Sequence, residues 1–538
     1  MVRSNLPQNK IRHIALCLIW SLLLPLLGGC AGSVLSGKRT LWVVTEQSTW
    51  DRMGGQLYVL EKAYEEAHRD VDIQVDYLPT DPQEREVYLQ QLRTQILQGG
   101  GPDCYLLPTG NTLILDEPTQ YTYVTVDPLF ADVELAMGTG LFYDISLLYD
   151  ADDALGKDCL NTTVMDSGVV NGNRYILPLR YDIPVIYGDV QSLEAAGLNA
   201  SLLTQDIGTI MEAVYATGDP LLAGGILRED LSAFSDFIDY DSGNATIQED
   251  DLVKYMENYQ LLKSLLGTRY LDNDDAAKEA ELLFLATEDT VLLEPVNNKK
   301  FIYCHYGPQF NNPLSSKSKC ISEYYPLWIG SMQDVFEYVP TAMYDDSQLS
   351  VTPMRTAAGE VVATVTYYGA VGSGCSDPEL AYDFLRQFLL EDSQWEKNRP
   401  TRNHTKPIKG PPTNRSNDQQ YPGLLESGWP VRDKDSLQTL WNSRRRQLFV
   451  REMDYAATKE QQRRMRKIGR TGELDESTIP ILDIAIDQVR YNTTMSEAFS
   501  HALAQLNDPG NGNAPTDADI EKLAQQLVWN IRWHVSEG

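Results

Sequence analysis

The chain alternates between runs whose apolar residues recur with the period of a strand and runs with the period of a helix. Leu41-Trp42-Val43-Val44-Thr45 is a β-branched and aromatic run suited to a buried strand. Gln56 to His68 then spaces Leu57, Leu60, Ala63, Tyr64 and Ala67 along one helical face. Val71 to Tyr77 alternates apolar and polar residues, as a strand with one covered face does. Val87 to Leu97 predicts a second helix, with apolar residues at Val87, Leu92, Ile96 and Leu97. It stops at Gly99-Gly100-Gly101, and Pro102-Asp103 lead into a third strand, Cys104 to Leu107. Strands separated by single helices predict a parallel sheet with crossover connections, hence an α/β class.

Leu141 to Tyr149 opens a different region, followed by an acidic turn at 150–153. Asn171-Gly172 is a strong turn signal, and Tyr175 to Ile186 reads as extended chain. Helices are predicted around Gln191 to Gly197, Thr209 to Ala216 and Asp251 to Leu266. Val361 to Val371 returns to strand, and Asp377 to Leu390 is a helix N-capped at Ser376 or Asp377. Residues 400–422, rich in Pro, Asn, Lys and Arg, read as a loop or insertion. Asp517 to His534 is a last helix, with Ile520, Leu523, Leu527, Trp529 and Ile531 among its apolar positions.

The first 29 residues do not fit this alternation. Arg3, Lys10 and Arg12 form a positive n-region before an apolar stretch from Ile14 to Leu27. That stretch is about 21 Å long as a helix, too short for a hydrocarbon core of about 30 Å, and Pro25 interrupts it. Residues 1–29 therefore read as a secretory signal. Leu27-Gly28-Gly29-Cys30 resembles the bacterial lipobox, which implies a lipidated Cys30 at the new N-terminus and a cell-membrane location on the extracytoplasmic face. The small residues from Ala31 to Gly37 suit a tether over 30–39. Gly32 to Lys38 only grazes a phosphate-loop pattern: Arg39 stands where Ser or Thr is needed, and no strand precedes it.

Charge narrows the partners. The formal net charge is −31, or −34 without the three cations of the n-region, which argues against nucleic-acid binding. One segment runs the other way: residues 444–470 carry ten Arg or Lys against three acids, read as a solvated helical face. Discounting Cys17 and Cys30 leaves Cys104, Cys159, Cys304, Cys320 and Cys375, with no metal-ligand spacing. Cys304 with Cys320 is the one local disulfide candidate, against five buried or unpaired thiols. No hydrolase or metalloprotease signature occurs in a convincing context.

Four stretches resemble bacterial extracellular solute-binding proteins of family 1, the sugar-binding type. They are Leu92 to Asp103, with its helix, glycine turn and Gly-Pro-Asp; Leu141 to Leu148; Asn171 to Pro178 with Val185 to Asp189; and Gly369 to Gln394, containing Glu379-Leu380-Ala381 and Phe384-Leu385. In the third stretch Gly188 stands where the family usually has Asn. Residues 225–360 and 400–470 match nothing in the family.

The resemblance implies a two-lobed periplasmic-binding-protein-like fold of type II, each lobe a mixed, mostly parallel sheet flanked by helices, with ligand in the cleft between them. It places lobe one at 40–149 plus 363–419 and lobe two at 150–362 plus 420–538. It implies a receptor without cofactor or catalytic residues, delivering an extracellular solute, foremost an oligosaccharide, to the permease of an ABC importer. A sugar cleft needs aromatic faces and planar polar groups, carried on loops at the carboxyl ends of strands. The expected ligand-binding residues are Glu46, Trp50, Thr109, Asn111, Tyr181, Asp182, Trp328, Tyr367 and Tyr368. Two other readings stay open: an extracellular carbohydrate-active enzyme using a carboxylate pair, and a sensor or adhesin with the same fold.

Overall fold

Residues 38–46, 56–117, 120–228, 230–235, 237–240, 244–270, 290–296, 299–304, 327–331, 349–390, 429–431, 484–507 and 515–537 are described in a computed structural model. The expected signal, Cys30 and residues 31–37 of the expected tether lie outside these residues, whereas Arg39, its last residue, opens the first strand. Trp50, Cys320 and the segments 400–422 and 444–470 also lie outside them.

Strand β1 (Arg39–Glu46) buries Leu41, Val43 and Val44, as the apolar run requires. Helix α1 (Gln56–Ala67) follows, then strand β2 (Val71–Leu78), helix α2 (Pro82–Leu97) and strand β3 (Cys104–Pro108). Helix α1 covers the sheet with Leu57 and Tyr64, whereas Ala63 and Ala67 are exposed. Helix α2 starts earlier than expected because Asp81 caps it, its carboxylate accepting from the Gln83 and Glu84 amides at 3.0 Å each. Its buried line is Arg85, Leu89, Leu92 and Ile96, while Val87 and Leu97 are exposed. Two residues beyond Arg85 is about 200° around the helix, so Val87 faces away. Asp103 ties the glycine turn to β1, its carboxylate accepting from the Trp42 amide at 2.9 Å.

A short helix α3 (Val133–Gly138) comes next. Asn171 and Gly172, both at positive φ, close the hairpin of Val169–Val170 on Asn173–Arg174. Strand β4 (Ile176–Asp182) then passes directly into strand β5 (Pro184–Asp189). Helices α4 (Ile207–Thr217), α5 (Pro220–Ile226) and α6 (Glu249–Tyr270) lead to strands β6 (Leu327–Ser331) and β7 (Leu349–Pro353). Strand β8 (Val362–Val371) and helix α7 (Pro378–Arg386) come next, the helix capped by Asp377. After strands β9 (Trp429–Pro430) and β10 (Gln488–Tyr491), helices α8 (Thr494–Asn507) and α9 (Asp517–Glu537) complete the described chain.

The fold is α/β, with a mixed sheet flanked by helices. That sheet runs β9-β8's neighbour β4 first: its order is β9-β4-β8-β3-β1-β2, with β10 also pairing with β8. The pairs β1/β2, β1/β3 and β8/β10 are parallel, and β8/β3, β8/β4 and β9/β4 antiparallel. A second sheet, β6-β5-β7, is antiparallel in both its pairings. Parallel strands were expected there as well. Helices α4 to α6 lie between β5 and β6, yet they return the chain antiparallel to β5.

Two apolar clusters lie against these sheets. The first gathers β1 to β4, β8 and α7, together with Val185 and Tyr187 of β5, Trp328 of β6 and Val351 of β7. The second gathers α4, α5, α6, α8 and α9 around β5 and β6. Tyr149, Leu155 and Leu160 pack in the first cluster, and β4 and β10 belong to the first sheet, because β8 pairs with both. No described helix is long and apolar enough to cross a membrane.

Candidate functional site

Register determines which strand ends meet. Tyr367 of β8 lies opposite Pro108 at the end of β3, and Thr364 lies opposite Asp182 at the end of β4. The carboxyl ends of β1, β3 and β4 therefore share one edge of the first sheet with the amino end of β8. The chain also changes core at this edge three times: between Asp182 and Pro184, between Pro353 and Val362, and between Tyr491 and Thr494.

Hydrogen bonds bind the three crossings together. The Met354 amide donates to the Pro184 carbonyl at 2.8 Å, and the Val361 amide to the Asp487 carboxylate at 2.8 Å. Arg490, on β10, donates to the Thr364 hydroxyl at 3.3 Å within the first sheet. It also donates to the carbonyls of Leu231 and Phe234 at 2.8 and 3.0 Å on the second core. Arg228 pairs with Asp230 at 2.6 Å and lies in the field of Asp182. Burial opposes the Arg228 charge, yet Asp230 and Asp182 outweigh it and raise the guanidinium further above its ordinary value.

Burial likewise pushes the Asp230 carboxyl up, but Arg228 and the Ser232 hydroxyl and amide prevail and hold it at about 2, below the ordinary 3.8. Between those values the native state binds fewer protons than the unfolded chain, so stability falls as pH drops from about 3.8 towards about 2. Acid unfolding of the parent and Asp230→Asn tests this. The variant should lack that component of the pH dependence, and superimposable curves would remove the assignment.

The expected ligand residues are brought to this edge unequally. Glu46, Thr109, Asn111, Asp182 and Tyr367 gather there, whereas Trp328 sits on β6 opposite Tyr187. Most of them point into protein. Glu46 is buried and held by Arg85 through two bonds of 2.8 and 2.9 Å. Burial raises the Glu46 carboxyl and Arg85 pulls it down. Arg85 also donates to the carbonyls of Asp127 at 2.6 Å and Pro79 at 3.0 Å. The Thr109 hydroxyl donates to the Val365 carbonyl at 2.6 Å, and the Asn111 carbonyl accepts from the Val126 amide at 2.7 Å. Tyr181, Trp328, Tyr367 and Tyr368 are all buried in the first cluster. Burial drives the Tyr368 hydroxyl well above its ordinary value. Asp182 alone of the described set is half-buried.

Arg85, Arg228 and Arg490 were absent from the expected site. The signal for Arg85 was its place on the line Arg85, Leu89, Leu92 and Ile96: a cation on a buried helical stripe calls for a buried acid. Arg490 carried no comparable local signal, because its partners Thr364, Leu231 and Phe234 come from distant parts of the chain, whereas Arg228 has Asp230 two residues on. Among the described residues no cluster of His, Cys, Asp or Glu is arranged to hold a metal ion.

Neither a family model nor a curated protein sequence matches the chain. Its structural neighbours include extracellular solute-binding proteins. One is the family 1 protein from Alicyclobacillus acidocaldarius, 11% identical over 93% of this chain and 98% of that one, at a TM-score of 0.43. Another is an ABC substrate-binding protein from Listeria monocytogenes in complex with cycloalternan, 10% identical over 93% and 99%, at 0.44. A third is the galacto-N-biose-/lacto-N-biose I-binding protein of the ABC transporter from Bifidobacterium longum, 12% identical over 93% and 98%, at 0.44.

Proposed function

We propose that this chain is a solute-binding receptor that closes on a neutral oligosaccharide at the crossing edge and hands it to an ABC permease. The observation that carries the reading is the triple passage of the chain between the first sheet and the second sheet with its helices, at the edge where the strand carboxyl ends of the first sheet converge. A change of backbone angle at 182–184, 353–362 and 491–494 turns one against the other. Arg490, bonded to both sides, is the link such a motion must strain or carry along. The saccharide class comes from the four family-like stretches. Trp50 follows β1, whose carboxyl end lies at the crossing edge, and is the aromatic residue of this proposal. Lipid on Cys30 would keep the receptor beside its permease and raise its local concentration there.

A thermal-shift screen with mono- and oligosaccharides tests the proposal. Ligand at a hundred times its Kd stabilises the native state by about 2.7 kcal/mol, enough for a clear rise in the midpoint. A screen in which no sugar moves the midpoint would sink the receptor reading.

A further inference from the structure

A cavity of about 730 Å3 lies between helix α2 with the 129–141 segment on one side and helix α9 with Met495 of α8 on the other. We infer that it is a separate binding site for a neutral hydroxylated ring of the saccharide class. Its walls come from both cores: Leu97, Phe130 and Asp132 from the first body, and Asn530, Trp533 and His534 from the second. The volume lies in the range of small-molecule sites, about 300–1,000 Å3.

The lining selects the ligand. Trp533 is half exposed and Leu97 is 77% exposed, so an apolar floor is open to a ligand face. Trp533 is stacked on Trp529 with ring centroids 5.3 Å apart, which orients the indole. Aromatic faces of this kind pack against the C–H surface of a sugar ring, while planar amides and carboxylates take its hydroxyls. Asn530 offers both a donor and an acceptor. Asp132, with its side chain 2% exposed, is the acidic wall. Its carboxylate takes the Leu135 amide at 3.0 Å, the Tyr240 hydroxyl, and His534 Nε2 at 3.1 Å.

Charge excludes the alternatives. An anion would meet the Asp132 carboxylate. It would find Arg93, the cation of the lining, already paired with Asp127 at 3.2 Å and bonded to the carbonyls of Leu129 and Pro128 at 3.1 and 2.6 Å. A wholly apolar ligand would strand the polar wall. A neutral ring with one apolar face and several hydroxyls satisfies both. Because Asp132 and His534 join the two bodies across the cavity, a bound ring is held only in the relative placement that keeps both walls in position. The site therefore favours one arrangement of the cores.

The test uses the whole chain with fluorotryptophan and reads the 19F resonances of Trp529 and Trp533, assigned through Trp529→Phe and Trp533→Phe. Neutral mono- and disaccharides are titrated in, with indole and inorganic phosphate as the other arms. A saturable shift of the Trp533 resonance with a sugar, lost in a folded Leu97→Trp variant that fills the cavity, is the expected result. A Trp533 resonance that no sugar moves, or that only indole or only phosphate moves, overturns the inference. The readout is local to α9, so it stands or falls separately from the thermal-shift screen of the crossing edge.

Discussion

An Arg85→Met variant loses about 3–5 kcal/mol of stability, because a carboxylate is left without its cation in the interior. Glu46 and Arg85 have side chains 9% and 2% exposed, joined by two bonds of 2.8 and 2.9 Å. Removing Arg85 also orphans the carbonyls of Asp127 and Pro79, so the segment leading towards α3 loosens with it. Met fills much of the aliphatic volume, which separates lost charge from lost packing. The loss should shrink as pH falls, since protonating the stranded Glu46 removes the buried charge. It should shrink again in the double variant Arg85→Met, Glu46→Gln, where no ion remains. Denaturant unfolding across a pH series reads both effects. A loss of about 1 kcal/mol, unchanged by pH and by the second substitution, would mean that the pair is solvated and worth no more than a surface bridge.

Gly225→Ala produces a smaller loss in the second core. A Cβ at Gly225 would lie 1.7 Å from the Leu327 carbonyl oxygen and 2.8 Å from its carbon. The obstacle is backbone in β6, which is paired with β5 from Leu327 to Ser331 and cannot rotate aside. Helix α5 must instead retreat from the sheet, opening a gap beside Leu222, Ala223 and Ile226, all buried. Strain of this kind costs about 1–3 kcal/mol, sometimes more, against the gain of up to about 1 kcal/mol that Ala brings to a helix. Gly138→Ala is the matched control, since nothing lies within 4 Å of its added Cβ. Thermal unfolding should show Gly225→Ala well below the parent and Gly138→Ala level or slightly above. Equal midpoints for the two would refute the close approach of α5 to β6.

Much of the fold was legible along the chain. The strands at 39–46, 71–78 and 104–108 follow from apolar runs and alternation, which need no partner to be read. Helix faces were less legible. Trp529 counted as an apolar position of the last helix, yet it is 59% exposed. The buried line there is Ile520, Leu523, Leu527 and Ile531, and Trp529 lies nine residues from Ile520, about 180° around the helix. Two tryptophans four residues apart on the polar side of a helix were thus a signal in the sequence, and they line or flank the cavity between the bodies. For the crossing edge the sequence indicated the right strand ends but not the side-chain directions. Loops at strand ends supply either ligand contacts or internal ties, and Glu46, Thr109 and Tyr367 turned inward because Arg85, Val365 and the first cluster receive them.

By itself the sequence determined the α/β class, the strand and helix periods and the acidic net charge. These depend on residues close together in the chain, where spacing alone carries the information. Only the tertiary structure decided that Ile176–Asp182 and Gln488–Tyr491 join the first sheet, that Arg490 spans two cores, and that Asp132 meets His534. Those partners lie tens to hundreds of residues apart. Their meeting follows from strand register and core packing, which no local pattern encodes.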